Sequence, residues 1–407
     1  VKRTALLSFL LLASLAQAQQ AVDAGTASEP SLLDELDAAA AGNPVQQAAP
    51  APSPNPIVRA FQSLNPDLSV IIDGAAGYAE RAPLRLAGDD PDLGGTSTSP
   101  AAGLTLQEIE VGLQAVVDPY FRADVFLTIP NLSGLEVEEA FVTSTSLPAD
   151  LQLKLGVFRS ALGRQNGQHL HSQNFTRRPL LNAAYLATDG LRAPGAQLSW
   201  LVPVPFFLQL NAEAFSVAAP DDLSAPTSFG GGQRTDLTYT AELKAFAPVS
   251  DAVSFSGGLN FATGLSAGLV DHPGLTDQRS WLYGADLYVK WKPVNEASGF
   301  FNLAWTTEYF ARKLGPYLDG GLYTQLVAQV ARGWTVGVRE DLLGLPASAI
   351  QPLTSRTSVS LGFAFTEFAR ARAYVEREFT HGGPVPDAWG AYLVLEASMG
   401  AHGAHAF

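Results

Sequence analysis

The stretch DQRSWLYGADLYVKWKPVNEASGFFNLAWTTE, residues 277–308, decides how the chain reads. Trp281, Tyr283, Ala285, Leu287, Val289 and Trp291 share one parity, and Leu282, Gly284, Asp286, Tyr288 and Lys290 share the other. Strand side chains alternate between faces, so the first set makes an apolar face with aromatics at both ends and the second a mostly wet one. A short turn, Pro293 to Ala297, leads to a second strand with Phe301, Leu303, Trp305, Thr307 and Tyr309 on one side and Asn302, Thr306 and Glu308 on the other. This is the pattern of a hairpin in a transmembrane barrel.

The same pattern recurs from Pro66 onward in about sixteen segments of roughly spanning length (14–18 allowing for a miscounted hairpin). The expectation is an all-β antiparallel transmembrane barrel over residues 66–407. Every second link is short: Asp118-Pro119, Leu147 to Asp150, Val202 to Pro205, Pro248 to Asp251, Pro293 to Ala297, Ala331 to Gly333 and Phe368-Ala369. Most of the others are long and rich in Gly, Pro, Asp and Ser, such as Arg81 to Gly103 and Ala218 to Arg234, whereas Pro130 to Gly134 is short where a long one is due. Outer-membrane barrels alternate short periplasmic turns with long outer loops.

Parity then divides the wall. Ile109, Val111, Leu153, Leu155, Leu208, Leu243, Val359 and Leu361 fall on the lipid face. The opposite parity gives a pore lining of Glu108, Glu110, Lys154, Glu213, Glu242, Lys244, Asp286, Lys290, Glu308, Arg370, Arg372 and Glu376. A charge on the lipid face costs about 2–4 kcal/mol at mid-bilayer, so these charges mark a water-filled interior. Both signs are present, which predicts weak ion selectivity.

Composition narrows the function classes. The 407 residues carry a net charge of -14, 10% aromatics, 47% hydrophobic residues, one methionine and no cysteine. The acidic balance argues against a nucleic-acid partner. The lack of cysteine removes disulfides and thiolate chemistry. Lys2 and Arg3 precede an apolar run from Ala5 to Ala16, and Ala16-Gln17-Ala18 has the small-x-small form of a cleavage site, so residues 1–18 read as a signal peptide. Residues 19–65, with Pro50, Pro52, Pro54 and Pro56 in alternation, read as a flexible periplasmic leader holding one short helix, Ser31 to Ala41.

The segment from Gly163 to Pro194 exceeds a bare connector. Arg164, His169, His171, Arg177, Arg178 and Arg192 make it basic, and Leu180, Leu181, Tyr185 and Leu186 suit packing against a wall. One reading folds it into the lumen as a constriction facing Glu108, Glu110 or Glu213; the other lays it over the outer surface. Four of the six histidines form two close pairs, His169 with His171 and His402 with His405. Imidazoles two or three residues apart can share a zinc ion, and equally can be ordinary polar residues of a loop and a terminus. No G-x-S-x-G, H-E-x-x-H or phosphate-loop motif stands in its required context, so no enzyme is expected.

LQLKLGVFRSALGRQN (151–166) resembles the strand-to-turn segments of phosphate-selective-type porins. NPDLSVIIDG (65–74), VDPYFRADVF (117–126), residues 147–175 ending GQHLHSQNF, GAQLSWLVP (195–203) and GAHGAHAF (400–407) resemble a Gram-negative outer-membrane barrel family labelled zinc-regulated TonB-dependent receptors. That label implies energised zinc uptake. The reading of the residues themselves is a porin-like channel for small hydrophilic solutes or ions, with no resident cofactor and zinc as a bound or transported ion at most. The expected partners are outer-membrane lipid, the barrel assembly machinery and the permeating solutes. A homo-oligomer suits a barrel of this size, but no sequence feature requires one.

Overall fold

The computed structural model of the chain describes residues 66–80, 101–130, 134–187, 189–218, 228–231, 233, 235–269, 271–295, 300–381 and 387–400. The signal peptide, the leader with its short helix, and the tail pair His402 and His405 lie outside the described residues. Sixteen strands follow one another: β1 Pro66–Ala79, β2 Ala101–Asp118, β3 Phe121–Pro130, β4 Glu136–Ser144, β5 Leu151–Arg159, β6 Arg192–Leu201, β7 Phe207–Phe215, β8 Thr238–Pro248, β9 Val253–Leu265, β10 Arg279–Trp291, β11 Asn302–Leu314, β12 Tyr317–Ala331, β13 Trp334–Leu343, β14 Thr354–Ala364, β15 Ala369–Thr380 and β16 Ala388–Gly400. Each pairs antiparallel with the next, and β1 pairs with β16 from Ser69↔Gly400 to Ala79↔Gly390. The sheet is therefore closed. Lipid imposes that closure on an all-strand wall, because an edge there would leave backbone donors and acceptors unpaired. No helix among the described residues is long and apolar enough to cross a membrane.

The alternation that defines the strands sorts as parity requires. Leu361, Val359, Leu395 and Trp305 are exposed on the exterior, while Glu242, Glu308 and Tyr323 are buried inside. Aromatic side chains gather near both rims. Trp334 lies 4.6 Å from Phe363, and Trp291 5.7 Å from Phe301, at the end with the short turns. Trp281 and Tyr283 flank Phe261 near the other end. Such girdles mark the two interfaces of an apolar band.

Two features depart from the sequence reading. Spanning-length strands ending at Phe310 and starting again at Leu322 leave residues 311–321 as an outer loop, yet β11 and β12 run through them and are joined by Gly315-Pro316 alone, with Gly315 at φ +54°. The polar residues that disguise this stretch face inward: Arg312 Nε donates to Asp319 Oδ1 at 3.0 Å, both fully buried. The lumen is also drier than expected. Leu282, Phe310, Tyr323 and Leu343 point inward and form an apolar core with residues of the β5–β6 connection.

Candidate functional site

The β5–β6 connection lies inside the barrel. It contains α1 (Gly163–Asn166) and α2 (Leu180–Leu186). Its hydrogen bonds reach strands all around the ring, which only an internal position allows. Ala161 N donates to Glu213 Oε1 on β7 at 3.0 Å, and Gly163 N donates to Asn260 Oδ1 on β9 at 2.8 Å. On β11, Glu308 accepts from Gln165 N and Asn182 Nδ2 at 3.3 and 3.2 Å. Leu180 N donates to Asp341 Oδ1 on β13 at 3.1 Å. Arg339, Arg356 and Arg372, from β13, β14 and β15, donate to the carbonyl oxygens of Arg177, Arg178 and Gln173. Backbone carbonyls taken out of water need donors, and a guanidinium offers several in one plane.

Local sequence explains how the connection holds its path. Gly163 has φ +66°, and a Cβ there would strike the Glu308 carboxylate. Asn166 joins the two ends of the connection: its Nδ2 donates to the carbonyls of Ser160 and Leu191, and its Oδ1 accepts from Leu191 N at 2.8 Å. All seven residues of α2 are buried, packed on β11, β12 and β13.

Charges expected on the pore wall divide into two groups. Glu108, Glu110, Glu213, Glu242, Glu308, Arg372 and Glu376 face inward but are buried, most of them in contact with the connection rather than with open water. Lys154, Lys244, Asp286 and Arg370 are half-buried, and Lys290 is exposed. On the short-turn side of the connection, a polar vestibule of about 500 Å³ opens between β2 and β8, bordered by Arg122, Glu139, Lys154, Arg164, Glu242 and Lys244. Arg164 stacks over Tyr288 at 3.8 Å, and Lys154 sits over the Phe141 ring at 4.6 Å. Of the other expected constriction residues, Arg177 reaches Glu376, whereas Arg178 turns back to its own segment, donating to the carbonyls of Gln165 and Gln168 at 3.3 and 3.2 Å.

His169 and His171 are buried against β2 and β4. His169 Nδ1 lies 3.0 Å from Glu110 Oε2 and 3.6 Å from Glu138 Oε2; its Nε2 lies 2.7 Å from Glu139 Oε2. His171 Nδ1 lies 3.3 Å from the same Glu110 oxygen. Burial works against a charged His169, but Glu138, Glu110 and Glu139 outweigh it and hold its pKa well above the ordinary value. Burial pushes His171 down. Glu139 Oε1 accepts from Arg159 N at 2.6 Å, and Arg159 Nη2 lies 2.5 Å from Glu138 Oε1.

Strict parity does not find Glu138 and Glu139, since it sends one of two adjacent residues to lipid. The register of β3 on β4 jumps from Phe126↔Glu139 to Leu127↔Val137, so Glu138 is the extra residue of a bulge and both carboxylates turn inward. A similar jump on β2, between Asp73↔Glu108 and Gly74↔Leu106, brings Gln107 and Glu108 in together. The signal in the sequence is the pair itself, for a strand in lipid does not carry Glu-Glu unless its period breaks.

A closed sixteen-strand wall with an apolar exterior and one connection folded inward defines the porin-type outer-membrane barrel fold. In fold the chain is similar to OprB of Pseudomonas putida (TM-score 0.56, 11% identity, 84% of this chain and 96% of that one). It is also similar to the outer membrane channel DcaP of Acinetobacter baumannii (0.54, 11%, 82% and 97%) and to an anion-selective porin from Comamonas acidovorans (0.52, 11%, 82% and 99%). In sequence it is 33% identical over 269 residues to an uncharacterized protein of Aquifex aeolicus. That match covers 59% of this chain and 55% of the relative, so the chain spans about half the length of the curated relative it matches. No family model matches. The TonB-dependent receptor label therefore has no support: such transporters are plugged barrels of about 22 strands, whereas this wall has sixteen and is crossed inside by its own β5–β6 connection.

Proposed function

We propose that the chain is a porin-like channel of the Gram-negative outer membrane, passing small hydrophilic solutes or ions by diffusion and not acting as an enzyme. The observation that carries this reading is the polar vestibule, about 500 Å³, kept beside the inward connection of a barrel whose outside is apolar. A purely structural barrel would have no need to keep such a space polar. Lys154, Arg164 and Lys244 stand against Glu139 and Glu242 around it, so the filter is mixed in sign and discriminates by width more than by charge. Lipid surrounds the wall, insertion falls to the barrel assembly machinery, and the permeating solute is the remaining partner.

Planar-bilayer recording with the purified, folded chain tests this. The expected result is discrete ohmic steps without added energy, with a small reversal potential in a salt gradient. Folded protein that inserts but never conducts would overturn the channel. A strongly one-signed reversal potential would overturn the mixed filter.

A further inference from the structure

We propose that Glu110, Glu138, His169 and His171 form a binding site for a zinc ion that clasps the inward connection to the β2–β4 wall. The donor set and its spacing carry the proposal. Tetrahedral zinc with bonds near 2.0–2.1 Å places neighbouring ligand atoms roughly 3.3 Å apart. The distances from His169 Nδ1 to Glu110 Oε2 and Glu138 Oε2 are 3.0 and 3.6 Å, and that from His171 Nδ1 to Glu110 Oε2 is 3.3 Å. Single donor atoms of Glu110, His169 and His171 all lie within 4.8 Å of one another, in three buried residues.

Three further observations point the same way. Glu138 Oε2 is buried with no hydrogen bond and only the longer 3.6 Å contact to His169 Nδ1, and Glu110 has a second buried oxygen, Oε1, without a hydrogen-bond partner among the described residues. Buried carboxylate oxygens in that state are costly unless a cation meets them. The far nitrogen of His169, Nε2, is already held at 2.7 Å by Glu139, which is in turn fixed by Arg159 N. A carboxylate behind an imidazole is the usual support of a zinc-bound histidine, setting its tautomer and its aim. Finally, Glu110, Glu138 and Glu139, offset by Arg159 at 2.5 Å from Glu138, leave two negative charges for one divalent ion when both imidazoles are neutral. Binding replaces the 3.0 Å contact between His169 Nδ1 and Glu110 with a bond from each to the metal, and any proton held there is released.

The ligands come from three parts of the chain, the connection, β2 and β4, so one ion ties the connection to the wall. Glu139 is a positioning residue, acting only through His169. The site does not depend on conduction. Zinc uptake is read on the chain in detergent, and a barrel that binds zinc yet never conducts overturns the channel while leaving the clasp.

The test loads the chelator-treated, detergent-solubilised full chain with Zn²⁺ and measures bound metal and heat of binding. One zinc per chain is expected. His171→Ala, which leaves the His169 contacts to Glu110 and Glu139 standing, abolishes stoichiometric binding; Glu139→Gln weakens it about 10–100-fold. The double substitution of the tail pair, His402→Ala with His405→Ala, leaves it unchanged. Folding of each variant is checked by heat-modifiable migration. Should His171→Ala not fold, the Co²⁺ spectrum of the unaltered chain decides, with tetrahedral bands supporting the site and octahedral ones refuting it. No stoichiometric uptake, retention of uptake by folded His171→Ala, or its loss only with the tail pair would each sink the proposal.

Discussion

Asp341 shows how much one inward side chain holds. It is fully buried, accepts from Arg339 Nε at 2.9 Å and from Leu180 N at 3.1 Å, and lies 3.4 Å from Arg356 Nε. Arg339 and Arg356 in turn hold the carbonyls of Arg177 and Arg178. Asp341→Asn leaves two buried guanidinium groups without their shared counter-charge, a loss of about 3–5 kcal/mol. Urea unfolding followed by tryptophan fluorescence should show it, and a change below about 1 kcal/mol would mean that water reaches these arginines. Parity makes the inward direction of Arg339, Asp341 and Arg356 legible from sequence. Their partners are not, because each binds backbone atoms 161 to 178 residues away in a segment that has no period to read. The same division applies to the histidines: their spacing shows that they can chelate, but the carboxylates that face them come from two other strands, both of them bulged.

At the scale of elements, α2 illustrates a helix made by its surroundings. Seven residues are too few to be stable alone in water, so its helical form depends on the wall it buries against. Leu180, Leu181, Tyr185 and Leu186 meet Leu282, Phe310, Tyr323 and Leu343 there. The sequence announces the apolar side chains of the connection, and their spacing suits packing on a wall. It does not announce that Leu282 and Phe310 serve as that wall, since an apolar residue on the inward parity reads as noise until its partner is known. Leu181→Ala should lower stability by about 2–5 kcal/mol. Leu181→Asp goes further, for a carboxylate cannot stay in that contact unpaired. The expected outcome is release of α2 with the sixteen-strand wall intact: unchanged strand signal in circular dichroism and larger single-channel steps. Steps of unaltered size with α2 released would show that the connection does not narrow the path.

For the whole molecule, the decisive property is a closed wall whose outside is apolar in the middle and aromatic near both rims. Closure, strand number and facing follow from a period of two carried through sixteen segments, which is why they are legible at a distance. The two-residue turn at Gly315-Pro316 is not, because β11 and β12 rise beyond the apolar band and there carry polar residues like any loop. If the band sits in a bilayer, the penalty for a charge must depend on depth. Val359 is exposed midway along β14, opposite Val338 and Val375, and Phe365 is exposed just beyond its end. Val359→Arg should therefore cost about 2–4 kcal/mol and Phe365→Arg about 0–1 kcal/mol when unfolding is measured from lipid vesicles. In detergent, whose apolar layer adapts to the protein, the gap should shrink. Equal penalties at the two positions in vesicles would place the band outside hydrocarbon. The sixteen strands would then need a different reason to close.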